Sequence, residues 1–302
     1  MSKKILVLSG GGVKGYAQLQ VLKMFENDKD LPLCEQYDLI VANSVGAINA
    51  AIISTGQINM NDFDSHWLEM AKQIFKKRKW YSLQKLPIYD RDNFYRIWDL
   101  LIGLDFKMKD VKTRLMILSV DYVTNQNRFF KSWHEDDGNE RLVDIVARSF
   151  AAPIYFGQIV DYIRRACWGD GGIGYYNFPI DEAKITAEVS GWYQSDWVLF
   201  DAIGCLYYEK KHTFEDQKKR TNIGQVLDFF NPLSGGLARS QSRLDQIKRM
   251  EYLANKLPFI QFRYWDEECS KKLDKLDKVE YLEQYRNLGI KMSEAPKLEV
   301  NI

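Results

Sequence analysis

Three short stretches hold residues whose types and spacing could do chemistry. In Ala42-Asn43-Ser44-Val45-Gly46 a serine stands between an apolar run and a small-residue helical pattern, with small residues two places before and after it. That is the pattern of a nucleophile elbow, a turn sharp enough to lift a hydroxyl clear of a sheet edge. Ala42 stands where glycine is usual, and the plainer use of Asn43 or Ser44 is to cap the following helix through a side-chain oxygen. The run Gly10-Gly11-Gly12-Val13-Lys14-Gly15 can bring backbone N–H groups close to an anion at a helix start. It also fits the Gly-x-Gly-x-x-Gly spacing of a dinucleotide-dependent oxidoreductase, the alternative reading, whose site needs a carboxylate at the end of the second strand. That strand closes instead on Ile40-Val41-Ala42-Asn43-Ser44, with Asp38 at its start. Lys14 is followed by Gly15 rather than Ser or Thr, which excludes a P-loop. A glycine turn that only packs a helix on a sheet is the plainer alternative. Lastly, Gly169-Asp170-Gly171-Gly172 carries a carboxylate on an uncrowded backbone, able to reach a cleft or to serve an ordinary Asp-Gly turn.

A serine nucleophile needs a base. The chain has three histidines: His66 in a helical stretch, His134 among acidic residues and His212 after two lysines. All read as solvated, so a Ser-His-Asp triad is unattractive and Asp170 is the better candidate base. The cysteines, Cys34, Cys167, Cys205 and Cys269, share no Cys-x-x-Cys spacing, and no histidine stands at a metal-ligand interval, so no metal site is expected. Scattered in this way they fit small buried hydrophobes in a reducing compartment.

These turns need elements to hold them. Segment 4–8 reads as a buried strand stopped by glycine, 16–27 as a helix, 37–42 as a second buried strand, 43–46 as a turn and 47–54 as a helix. Two strand–turn–helix units in succession predict a parallel α/β sheet with right-handed crossovers. Helices are expected over 62–80, with Phe63, Trp67, Met70, Ala71 and Ile74 on one face, over 92–102 and over 142–150. Strands are expected over 115–123 and 127–132 as a hairpin, over 158–163 and 166–168, and over 197–203. Beyond that the chain reads as mostly helical, with 259–265 extended and 271–278 a charged helix face.

Across 302 residues, 46% hydrophobic and 27% charged residues support a packed core and exclude a disordered chain. A net charge of +1 gives no support to a nucleic-acid polymer as partner. The apolar run from Ile5 to Leu8 is too short for a signal peptide, and no stretch approaches the roughly 20 apolar residues of a membrane span. A soluble cytoplasmic protein is therefore expected.

In order along the chain, the glycine turn, the serine elbow and the later Asp-Gly-Gly resemble the patatin-like phospholipase family. The segment Arg148-Ser149-Phe150-Ala151-Ala152-Pro153-Ile154-Tyr155-Phe156 is similar to that family's stretch before its catalytic aspartate, and Asn177-Phe178-Pro179 is a looser likeness to the Asn-Asn-Pro after it. The likeness covers residues 4–180. It implies a three-layer α/β fold with a mostly parallel central sheet flanked by helices, one domain over 1–302, and 181–302 as a mainly helical completion. It further implies a phospholipase A-type lipid acyl hydrolase with Ser44 as nucleophile and Asp170 as base. The amides of Gly10, Gly11, Gly12 and Val13 would form the oxyanion hole, Gly11 and Gly12 foremost, with Lys14, Gly15, Ala42, Gly46, Gly171 and Gly172 supporting these turns. Neither a metal nor an organic cofactor is implied. Lys14 could steer a phosphate head group or be a solvated charge. The resemblance also admits a regulated bacterial effector, with its activator, small molecule or protein, left open, and a catalytically weak regulatory protein on the same fold.

Membrane phospholipid as substrate implies peripheral association with membranes. The run Lys76-Lys77-Arg78-Lys79-Trp80-Tyr81 sets four cations beside two aromatics at the end of an amphipathic helix, suited to anionic head groups or to a solvated helix terminus.

Overall fold

The computed structural model describes residues 2–78, 87–173, 176–194, 197–208 and 237–301, with the backbone alone for 237–241. In chain order the elements are β1 (Lys3–Leu8), α1 (Gly15–Lys29), α2 (Leu33–Gln36), β2 (Leu39–Asn43), α3 (Val45–Thr55), α4 (Met60–Ile74) and α5 (Asp92–Leu101). They continue as β3 (Arg114–Asp121), β4 (Gln126–Lys131), α6 (Glu135–Gly138), α7 (Leu142–Ser149), β5 (Ile159–Asp161) and β6 (Ala166–Asp170). The C-terminal part holds α8 (Ile180–Val189), β7 (Val198–Ile203), α9 (Leu237–Lys256), β8 (Ile260–Trp265), α10 (Leu282–Ser293) and β9 (Leu298–Val300).

The strands join one sheet in the order β5-β6-β3-β2-β1-β7-β8-β9, with β4 also on β3. The central pairs β3–β2, β2–β1, β1–β7 and β7–β8 are parallel, and the outer ones are antiparallel. The strand runs are apolar on both faces because helices cover both. Leu6, Leu8, Ile40, Ala42, Leu115 and Ile117 face the core under α1, α3, α4 and α7. Their alternates Ile5, Val7, Leu39, Val41 and Met116 face the core under α8 and α9. This is the α/β architecture with helices on both faces of a mostly parallel sheet.

β3 is the ruler that brings the chemistry together. One of its edges is taken by β4 over Met116–Asp121, so β2 and β6 must share the other. β2 ends there with Asn43 opposite Leu118, and β6 ends with Asp170 opposite Ser119. Ser44 and Asp170 therefore leave the sheet at adjacent rungs of a single strand.

Two helical expectations are corrected. α4 ends at Ile74 rather than reaching 80, because the chain beyond it turns extended: Lys77 bridges Tyr89, and the Arg78 N–H donates to the Ile88 carbonyl at 3.1 Å. Segment 271–278 is not a helix face but a series of turns laid against the glycine run. The stretch expected to be extended over 259–265 forms β8, and one strand not expected from the sequence, β9, extends the sheet beyond it. No described helix is long and apolar enough to cross a membrane.

Candidate active site

Ser44 stands at the N-cap of α3, just before Val45, with φ 53° and ψ −124°. A residue with a side chain reaches this region only where its surroundings force it. The force is local. Gly46 lets α3 start against the end of β1, where a Cβ would lie 2.6 Å from the Ser9 carbonyl, and the Ser44 N–H donates to Ser149 Oγ at 2.8 Å. The Ser44 hydroxyl makes no capping bond; it donates instead to Asp170 Oδ2 at 2.8 Å. Both residues are nearly buried, at 7% and 8% exposure.

Asp170 is aimed by the turn that follows it. The Gly172 N–H donates to its Oδ1 at 2.7 Å, leaving Oδ2 to the serine. Gly171 passes so close to the end of β2 that a Cβ would sit 2.5 Å from Asn43 Oδ1. The buried Tyr122 hydroxyl lies against Gly169, and its pKa is pushed up to about 12, by burial first and then by the charge of Asp170. It therefore stays a neutral phenol and does not compete as a base.

The glycine turn lies across from this pair. Of its four amides singled out above, two have acceptors already: the Gly10 N–H donates to the Asn177 carbonyl at 3.0 Å and the Val13 N–H to the Leu276 carbonyl at 2.9 Å. For the Gly11 and Gly12 N–H groups no acceptor is found among the described residues. Protein packs tightly on the Cβ side of the turn, so only glycine fits there. A Cβ on Gly10 would lie 2.6 Å from Asn177 Oδ1, one on Gly11 would strike Cys205, and one on Gly12 would strike the Leu276 carbonyl.

Asn177 does more than its loose sequence likeness suggested. Its Nδ2 donates to the Gly10 carbonyl at 3.2 Å and its Oδ1 accepts from Asn43 Nδ2 at 3.3 Å, so it clamps the glycine turn to the elbow. Ser149 and Leu276 were also missed as neighbours of the site. For Ser149 the signal was its place inside the Arg148–Phe156 likeness; for Leu276 there was none, since it acts through its carbonyl.

Lys14 is not a solvated charge. It is buried, its Nζ donating to Asp274 Oδ1 at 2.8 Å and to the Leu206 carbonyl at 3.0 Å. This pair ties the glycine turn to the 273–277 segment. Gly15 sits tight on Val45 and Ala42 is fully buried at the end of β2, both serving the packing of the turns. Beside Ser44 and Asp170 opens an apolar cleft walled by Val45, Ile48, Trp67, Met70, Ile74 and Phe156. Nearly all of this lining is apolar, so it can hold a hydrocarbon chain but not a sugar or a nucleotide.

Away from the cleft, Lys76 and Lys77 are exposed, Arg78 lies 3.9 Å from Asp90, and Lys79, Trp80 and Tyr81 lie outside the described residues. His66 and His134 are exposed and have no contact with the pair, and His212 lies outside the described residues. Cys34, Cys205 and Cys269 are buried thiols and Cys167 is half-buried. Among the described residues, no group of three or more His, Cys, Asp or Glu could hold a metal ion.

A family model, patatin-like phospholipase, matches residues 6–184. A cGAMP-activated phospholipase of Escherichia coli (strain TW11681) is 29% identical over 187 residues, 56% of this chain and 52% of that protein. Patatin group M-3 of Solanum tuberosum is 28% identical over 169 residues, 50% of this chain and 42% of the relative. The matches thus span about half the length of these relatives. Among solved structures, VipD from Legionella pneumophila aligns over 97% of this chain and 66% of that one, at 10% identity and a TM-score of 0.48.

Proposed function

The chain belongs to the patatin-like phospholipase family, and from that premise we propose that it is a serine hydrolase that cleaves acyl esters of membrane phospholipids. The observation that carries this reading is the 2.8 Å hydrogen bond from a strained Ser44 to Asp170 at the mouth of an apolar cleft. A hydroxyl held by a carboxylate, with an apolar cleft beside it, suits an ester whose acyl chain lies along the cleft.

In the reaction, Asp170 Oδ2 takes the Ser44 proton as Oγ attacks the ester carbonyl. Negative charge develops on the carbonyl oxygen, and the Gly11 and Gly12 amides are the donors left to receive it. One such donor contributes about 3–4 kcal/mol to the transition state. Asp170 then returns the proton to the leaving alkoxide, the C–O bond breaks and an acyl-Ser44 ester remains. Asp170 next deprotonates a water, which attacks the acyl group, and Ser44 regains its proton as the fatty acid departs. Ser149 and Asn43 hold the elbow and Asn177 holds the glycine turn; these three position the reacting groups without touching them.

We propose further that residues 1–302 form one domain working at a membrane surface from the aqueous side. Replacing Lys76 and Lys77 by Gln should then weaken adsorption to anionic vesicles at low salt. The effect should fade as the Debye length shrinks from about 10 Å at 0.1 M to about 3 Å at 1 M. Relatives named cGAMP-activated phospholipases are the reason to assay hydrolysis with and without a cyclic dinucleotide.

The deciding experiment is lipid product analysis after incubating wild type and Ser44→Ala with mixed phospholipids. Free fatty acid and lysophospholipid should form with wild type alone. Equal products from both proteins would refute Ser44 as nucleophile, and no product under any activating condition would refute the hydrolase reading.

A further inference from the structure

The stretch that walls the apolar cleft through Phe150, Ala152, Tyr155 and Phe156 runs straight into β5, turns at 162–165 and comes back as β6 to Asp170. β6 is antiparallel to β3, with Asp170 opposite Ser119 and Trp168 opposite Asp121. The turn therefore lies beyond the C-terminal end of β3, at the end of the sheet where Ser44 emerges. At about 3.3 Å per residue it stands roughly 15 Å outward of Asp170.

This turn is held from within. Asp161 Oδ1 accepts the Ile163 N–H at 3.1 Å and the Arg164 N–H at 2.9 Å, while Oδ2 accepts Trp168 Nε1 and Arg148 Nη2, both at 3.1 Å. Arg164 is drawn back onto Glu140 at 2.5 Å and Asp137 at 3.4 Å. Tyr162 at 88% exposure, Ile163 at 96% and the exposed Arg165 are left facing outward. Val160 on the rising strand is exposed, as is Val123 on the β3–β4 turn, which is set beside β6 by the Tyr122 N–H donating to the Cys167 carbonyl at 2.8 Å.

We propose that the 162–165 turn is the element that inserts into the lipid surface from which substrate is drawn, an inference that rests on the lipid-hydrolase reading for the identity of its occupant. An aromatic and an aliphatic side chain held fully in water are costly, and the boundary between head groups and acyl chains accepts both. Arg165 beside them complements anionic phosphates. The turn is narrow and convex, which suits a deformable surface. Its two strands end on the cleft wall and on Asp170, so insertion brings the cleft to the membrane without any rearrangement.

The test pairs Tyr162→Asp/Ile163→Asp with wild type in sedimentation with vesicles of phosphatidylcholine and phosphatidylglycerol. Alongside it run hydrolysis of the same vesicles, hydrolysis of a soluble short-chain ester and the thermal melt. Vesicle binding and vesicle hydrolysis should each fall at least tenfold, with the soluble ester and the melt unchanged. A Tyr162→Trp variant provides a second readout: its added emission should be quenched by brominated phosphatidylcholine. Wild-type binding by the Asp variant would overturn the proposal, as would absence of quenching. So would unchanged vesicle binding together with loss of a dimer, which would make the turn a surface for a second copy of this chain. If wild type binds vesicles through the turn but hydrolyses no ester, the docking surface stands and the hydrolase reading falls.

Discussion

Ser44 is kept at positive φ with a β-carbon attached, a conformation that costs on the order of 1–3 kcal/mol. Ser44→Ala removes the hydroxyl but keeps the strain; Ser44→Gly removes both. Both variants should be inactive, and the glycine variant should melt above the alanine variant, by about 1–2 kcal/mol in stability. The reverse order in calorimetry would mean that no strain is stored at the elbow. The base can be tested at the same scale. Asp170→Asn keeps the shape of the carboxylate but not its basicity, so soluble-ester turnover should drop about 10²–10⁴-fold. Replacing His66, His134 and His212 together by Gln should leave turnover close to wild type. A dead histidine-free enzyme beside a live Asn variant would mean that a histidine is the base.

At the scale of elements, two short segments carry more than their sequence suggests. The 273–277 segment is strapped to the glycine turn by the buried Lys14–Asp274 pair, and the Tyr89 hydroxyl donates to Asp277 Oδ2 at 2.7 Å. Asp274→Ala would leave a buried ammonium without its partner, a change that typically costs about 3–5 kcal/mol. A large fall in melting temperature is expected, and a fall of only a degree or two would show that Lys14 escapes to water. In the β5–β6 hairpin, burial raises the Asp161 carboxyl, but hydrogen bonds from the Arg164 N–H and Trp168 and the charge of Arg148 outweigh it, so its pKa lies below the usual carboxylate range. A folded-state value below the unfolded one, which is near 3.9, means that the group stabilises the fold above that range. The contribution is lost as pH falls through the lowered folded value. Asp161→Asn should therefore melt below wild type at neutral pH, and the gap should close on acidification. A gap independent of pH would place the effect in packing rather than charge.

For the molecule as a whole, the family match ends at residue 184 while the sheet does not. β7 pairs with β1 over six residues at the centre of the sheet, and β8 continues beyond it. α10 lies on α1 so closely that a Cβ on Gly289 would come 2.5 Å from the Ala17 carbonyl. A chain cut after 184 would expose an edge of β1 and the apolar flank of α1, both fully covered here. It should aggregate or show no cooperative melt, although it keeps Ser44, Asp170 and the glycine turn. A cooperative melt of that fragment would mean that β7 to β9 are dispensable.

The elements nearest the chemistry were legible in sequence because their signals are local. Apolar runs stopped by glycine mark β1 and β2, and the face of Phe63, Trp67, Met70, Ala71 and Ile74 marks α4, whose residues lie buried as expected. The three turns could be named for the same reason: small residues at fixed spacing are what a tight turn requires. Which reading each turn takes was decided only by tertiary structure. Ser44 binds Asp170 rather than capping its helix because β2 and β6 end at adjacent rungs of β3, a register set by pairings across 126 residues of chain. Lys14 is buried because a segment 260 residues away folds over it, and that segment also takes the Val13 amide through a backbone carbonyl, an acceptor every residue carries. Tyr162 and Ile163 show no pattern that separates them from core residues; that they face water follows from Asp161 and Arg164 pulling the turn's polar groups inward. Local spacing specifies elements and turns, whereas distant contacts depend on how the assembled sheet and its cover bring separate stretches of chain to the same place.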